Sequence, residues 1–347
     1  MGKKDNKLWN DKRSRKLRDK KHGHYTVHHY AYNEDYTPHS SRSSLFTTNS
    51  VSEYRAKAPL VFSFINNTDE TALMFVGLIN EIRRGIFKKR FFFDSANVEN
   101  VTVDVLVYII AIMRNMKLNQ VKQYTFLGNL PKNEDAKAVF EESGFYKYVQ
   151  SKSKILPSNN EKMQIVTGKK TDSVTASRIC QFVIDKLGKD RVYTQFLYKA
   201  IIELMSNSVH HAYHDREEIM NPCWYLYAEY SSRKVRFIFV DTGLGIATTV
   251  RKNFLEKLKL QANDAELIES AFVGEFRTET KKPNRGLGLP ALRQYVLGGK
   301  FTAFTVLSGT GAYKFNNFVN EFETNSFTNR IYGTIYVFEI EEKENIA

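Results

Sequence analysis

The chain has 347 residues, 42% of them hydrophobic and 26% charged, with Lys+Arg 51 against Asp+Glu 38 and a formal net charge of +13. That composition is ordinary for a globular protein and excludes a wholly disordered chain, and the length suits two domains plus tails. No apolar window approaches 18 residues, no apolar stretch follows the basic N-terminus, and the only cysteines are Cys180 and Cys223, so a membrane span, a secretory leader and a disulfide framework are all unexpected and a cytoplasmic setting is the simplest.

Residues 1–21 carry ten Lys and Arg against three Asp, so a surplus of +7 sits in the tail and +6 is left for the rest. Such a tail can contact nucleic acid weakly through counterion release, or simply be solvated. Residues 1–57 read as a basic, polar, largely disordered tail that also holds His22, His24, His28, His29 and His39. Imidazoles at that spacing could ligate zinc or nickel, but nothing in the tail completes a site, and an incidental polar tail is the simpler reading.

From Pro59 the pattern changes. Leu60–Ile65 has strand character, and Ala72–Phe87 has helical periodicity after the capping residues Asn67–Glu70. Arg90–Ser95 reads as a buried strand, Val103–Met116 as an apolar helix, Gln123–Leu127 as a third strand and Asp135–Ser143 as a third helix. Strands alternating with helices predict a small α/β domain over 58–148. Phe93-Asp94-Ser95 before a helix resembles the central segment of STAS-like domains, the fold of anti-sigma-factor antagonists. The regulatory serine of that family has no clear counterpart here; Thr102 is the nearest hydroxyl. Residues 149–172, with Pro157, read as a linker. A second unit over 173–347 opens with helices at 174–187 and 191–213.

Three motifs follow in that second unit. Glu203 and Asn207 lie four apart on an apolar helix and project from one face, where a carboxylate and an amide can orient water and hold a hard cation. Alone they would read as the polar stripe of an amphipathic helix. Asp241-Thr242-Gly243-Leu244-Gly245 ends the apolar strand Arg236–Val240, and its glycines allow a tight turn and close approach to a ligand. Asn284-Arg285-Gly286-Leu287-Gly288-Leu289 opens a helix, which offers free N–H groups and a positive dipole end to phosphate. It fits neither a Walker loop nor a dinucleotide fingerprint.

In order and spacing, with a closing strand at Gly333–Phe338, the three motifs resemble the N box and the two glycine boxes of the GHKL superfamily (gyrase, heat-shock chaperone, histidine kinase, MutL) over about 174–341. The resemblance implies a Bergerat α/β sandwich, with helices packed on a mixed sheet. It implies that Asn207 binds magnesium through the phosphates of ATP, and that Asp241 reads the adenine amine with help from Thr334 through water. Gly243 and Gly245 would shape the base pocket. Arg285, Gly286, Leu287, Gly288 and Leu289 would meet phosphate, and Glu203 would be the catalytic base. Residues 247–285 would be a mobile ATP lid, with Arg277, Lys281, Lys282 and Arg285 available to phosphate, although each could equally lie on a solvated face.

Glu203 is similar to the base of the hydrolytic branches and of anti-sigma serine kinases, whereas sensor histidine kinases often carry asparagine there. His210-His211-Ala212-Tyr213 resembles the anti-sigma version, and no histidine has the context of a phosphoacceptor. The chain ends soon after its last predicted strand, so a gyrase-type transducer is not expected. The resulting expectation is an ATP-binding regulatory protein that hydrolyses Mg-ATP slowly and switches a partner interaction, in stress or phage-defence signalling. The alternatives are a serine/threonine kinase acting on a partner, and a non-catalytic nucleotide-gated or nucleic-acid-associated module. Expected partners are ATP and an unidentified protein, with a homodimer left open and no membrane.

Overall fold

The computed structural model describes residues 52–84, 89–115, 124–149, 161–210, 223–254, 262–275 and 288–342. The basic tail 1–21 and its neighbouring histidines lie outside them. Strand β1 (Ser52–Lys57) falls inside the segment expected to be a disordered tail and corrects that expectation over its six residues. Tyr54 and Ala56 turn inward while Glu53, Arg55 and Lys57 stay exposed. An edge strand needs only that sparse alternation, and its charges hide it in a polar stretch.

β1 pairs in parallel with β3 (Lys89–Asp94), and β3 with β5 (Tyr124–Gly128). Between them run α1 (Thr68–Arg83) and α2 (Val103–Asn115), followed by α3 (Glu134–Glu142) and the short α4 (Tyr146–Val149). The expected strand Leu60–Ile65 shrinks to the two residues of β2 (Val61–Phe62), which among the described residues pairs with β4 (Asn100–Val101) alone. Side chains take the next backbone donors: Ser63 N–H donates to Thr71 Oγ1 at 3.2 Å and Phe64 N–H to the Asp104 carboxylate at 2.7 Å. Such bonds compete with a strand ladder.

The second sheet holds β6 (Lys162–Gly168), β7 (Trp224–Ser231), β8 (Lys234–Asp241), β9 (Ala303–Asn316) and β10 (Glu321–Glu341) in the order β6-β7-β8-β10-β9. Every pairing is antiparallel, not mixed as expected. The reason is connectivity. β7–β8 and β9–β10 are hairpins, and the helical pair α5 (Ser173–Leu187) and α6 (Arg191–His210) joins β6 to β7. β6 also lies within the expected linker 149–172. Only Ile165 of its seven residues is buried, so it too reads as polar.

One face of this sheet packs on α5, α6, α7 (Ile246–Phe254), α8 (Asp264–Val273) and α9 (Gly288–Leu297) around Leu226, Phe237, Phe239, Val306 and Tyr336. The other face is covered by the N-terminal unit. One apolar cluster contains Phe91, Phe93 and Phe126 of the parallel sheet and Tyr225, Ile238 and Val240 of the antiparallel one. α2 explains how: Val105–Met113 are all buried. A helix that is apolar all round must be covered on every side. The two units therefore share a core instead of hanging on a connector.

The expected lid, 247–285, also needs correction. Within it Ala247 and Val250 of α7 and Ala265, Leu267, Ile268 and Phe272 of α8 are buried in the core. Asn263 and Glu266 form a capping box that starts α8 firmly. Arg277, Lys281 and Lys282 lie outside the described residues. No helix among the described residues is long and apolar enough to cross a membrane.

Candidate functional site

α6 buries Leu197, Ala200, Ile201, Leu204 and Met205 against the sheet. Glu203 and Asn207 are half-buried, one turn apart beside that apolar face. Ser208 turns back to donate to the Leu204 carbonyl at 2.9 Å, so it is used locally. The Glu203 carboxyl lies directly against Gly288, the first residue of α9, where a side-chain carbon would overlap it. Absence of a side chain there lets the start of one helix meet the carboxylate of the other.

Asp241 ends β8 and is buried. In register it stands between Trp224 of β7 and Thr334 of β10. Its carboxylate accepts from the Gly243 N–H at 2.9 Å. Burial pushes its pKa up to about 6, against the opposing hydrogen bonds from the Gly243 N–H and the Thr334 side chain. A carboxyl kept in such a setting is available for exchange between neighbours and a ligand. Gly245 closes the turn at φ +82, and a side-chain carbon there would lie 2.6 Å from Ser308 Oγ and 2.9 Å from the Gly333 carbonyl oxygen.

Three residues of this cluster were not singled out from sequence. Ser308 is fully buried; its hydroxyl donates to the Gly333 carbonyl at 2.9 Å and accepts from the Ile246 N–H at 3.0 Å. It thereby ties the glycine turn to β9 and β10. A small hydroxyl between the apolar pair Val306-Leu307 and Gly309 was the available signal. Trp224 flanks Asp241 across the sheet, and its indole N–H donates to the Lys170 carbonyl at 2.8 Å. Tyr336 is buried: burial raises its pKa well above the ordinary phenol, and the charges of Asp241 and Glu203 push the same way.

Glu203, Asp241, Gly243, Gly245, Gly288 and Thr334 are thus brought to one end of the sheet, with Asn207 a turn further along α6. Leu289 packs partly buried beside the core. Arg285, Gly286 and Leu287 lie outside the described residues. Among the described residues no group of three or more His, Cys, Asp or Glu is placed to hold a metal. Cys180 and Cys223 are buried, and burial lifts the Cys180 thiol to about 11, which keeps it protonated. A separate apolar pocket lies in the N-terminal unit, lined by Phe62, Phe93, Ile109, Phe140 and Phe145 with Ser95 and Asn129, and shares no residue with the Asp241 cluster. Neither protein-family models nor curated proteins match this chain.

Proposed function

We propose that the antiparallel-sheet unit is a GHKL-type Bergerat ATP-binding module, that the N-terminal unit is STAS-like, and that the chain is an ATP-gated regulatory switch with slow hydrolysis. The observation that carries this reading is convergence. Motifs separated by long stretches of chain meet: Glu203 lies against Gly288, Gly243 and Thr334 gather about Asp241, and the charges of Glu203 and Asp241 both act on Tyr336.

Asp241 is suited to accept from an exocyclic amine of a base seated over the Gly243–Gly245 turn. The N–H groups at the start of α9 are suited to phosphate oxygens. Asn207 offers an amide oxygen to a magnesium ion carried in with the phosphates, and such an ion would neutralise charge on the transferred group. Glu203 is placed to accept a proton from the attacking nucleophile, either water or a hydroxyl. The anti-sigma-type serine/threonine kinase differs only in that nucleophile.

Incubation with γ-labelled ATP and magnesium tests the reading, with free phosphate and labelled protein scored separately. Wild type should release phosphate slowly. Glu203→Gln should bind ATP and lose turnover, and Asp241→Ala should lose binding. Label on a protein would move the assignment to the kinase. No ATP binding by wild type would end both readings.

A further inference from the structure

One of the contacts by which the N-terminal unit holds the second sheet is centred on the backbone of Tyr332. The Tyr108 hydroxyl, on α2, donates to the Tyr332 carbonyl at 3.0 Å and accepts from the Tyr332 N–H at 2.9 Å. Tyr332 lies where β10 has lost its regular neighbours. Its pairing with β9 shifts register between Ser326 and Ile331 and again between Ile331 and Thr334, and pairing with β8 begins only at Thr334. One side-chain hydroxyl therefore supplies both the acceptor and the donor that a strand would have supplied. Tyr108 is fully buried and packs edge-on against Phe64 at 4.9 Å and Phe75 at 4.8 Å between ring centroids, so the hydroxyl is held firmly in place.

The residues that follow Tyr332 are those that meet Asp241. Gly333 has φ +81, and a side-chain carbon there would overlap the Asp241 carbonyl oxygen. Its own carbonyl accepts the Ser308 hydroxyl that also receives the Ile246 N–H. Thr334 is the register partner of Asp241. Burial holds the Tyr108 phenol well above its ordinary range, which keeps its hydroxyl protonated and able to donate to the Tyr332 carbonyl.

We infer that Tyr108 is a positioning residue for the Asp241 pocket: its hydroxyl fixes the Tyr332–Gly333 bulge, and the bulge sets where Gly333 and Thr334 meet Asp241. The N-terminal unit is then part of the site's support. By linkage, a ligand that orders Asp241 tightens the contact between the units, and whatever loosens that contact weakens binding at Asp241 by the same factor. The consequence for ATP rests on the nucleotide reading above; the positioning itself does not.

The test uses the full chain. Tyr108→Phe keeps the ring and removes the hydroxyl. Asp69→Ala is the control: the Asp69 carboxylate accepts from the N–H groups of Thr328 at 2.7 Å and Asn329 at 3.2 Å, fastening the same two units at the earlier register shift and not at Tyr332 or Gly333. Amide hydrogen exchange is read at Gly243 and Thr334 without nucleotide, and ATP affinity is read in parallel. Loss of two buried hydrogen bonds should speed exchange at both amides and weaken ATP binding by about tenfold in Tyr108→Phe. Asp69→Ala should leave both unchanged. Phe64→Leu, which keeps the hydroxyl but loosens its seat, should show the same signature at smaller size and serves if Tyr108→Phe does not fold. Wild-type exchange at Gly243 and Thr334 in Tyr108→Phe, or equal acceleration in Asp69→Ala, overturns the inference. Faster exchange in a protein whose wild type binds no ATP leaves the positioning role standing and removes the nucleotide reading alone.

Discussion

Thr334 stands directly across the sheet from Asp241, and its side chain contributes one of the two hydrogen bonds that partly offset burial of the carboxyl. The offset is incomplete. The folded carboxyl is pushed up to about 6 from the usual 3.8, so the protein keeps an acid that it destabilises when charged.

The sign of that shift fixes a pH dependence. A group whose folded pKa is raised contributes its relative stability fully below the unfolded value, and this is lost as pH rises through the folded one. Between pH 4 and pH 7.5, ionisation of Asp241 should therefore cost on the order of 2–3 kcal/mol. Asp241→Asn keeps the acceptor for the Gly243 N–H and removes the titration. Its melting temperature should exceed that of wild type at pH 7.5, with the difference fading below pH 5. On the proposed function the same variant should bind ATP less well, and wild-type affinity should fall as pH drops below about 6. Calorimetric melts and ATP titrations across this range check both. A pH-independent difference in melting would show that Asp241 is not held as described.

Gly245 faces a harder constraint. Its φ of +82 and the closeness of Ser308 Oγ and the Gly333 carbonyl leave no space for even a methyl group. Gly245→Ala should cost about 2–3 kcal/mol, combining left-handed strain with displacement of a buried hydroxyl. Denaturant melts should show a lower midpoint at unchanged slope. A change below about 0.5 kcal/mol would mean that the turn relaxes freely.

The legible parts of the chain were those whose signal is local. Glu203, Asp241, Gly245 and Gly288 stand out because an acid or a glycine interrupts an apolar run. α2 stands out because Val105–Met113 are continuously apolar, although being covered on every side was not deduced from it. What stayed hidden depends on partners distant in sequence. β1 and β6 are edge strands in which Ala56 and Ile165 are buried among exposed or half-buried residues. Ser308 and Tyr336 matter only through cross-strand register, and Tyr108 through a residue 224 positions away. The segment 247–285 looked like a solvated lid because its Lys and Glu content outweighed the apolar positions Ala265, Ile268 and Phe272, which fall on one helical face.

That last point can be measured. If α8 belongs to the core, truncating its main anchor must be expensive. Phe272 is fully buried, edge-on to Phe304 at 5.7 Å and stacked on Tyr313 at 5.1 Å. Phe272→Ala should cost about 3–5 kcal/mol, where a residue on a loosely attached lid would cost under about 0.5 kcal/mol. Asp264 gives an independent reading of the same helix. Burial acts to raise its pKa, but the Thr310 N–H at 2.8 Å and the Arg251 guanidinium outweigh it and hold the carboxyl below its usual range. A depressed pKa stabilises above the unfolded value and is lost as pH falls through the folded one. Asp264→Asn should therefore destabilise at pH 7 by about 1–3 kcal/mol, and the gap to wild type should narrow only below about pH 4. Urea melts of both variants at pH 7, with Asp264→Asn repeated at pH 3.5, decide the matter. Melts indistinguishable from wild type would return α8 to the role of a mobile cover.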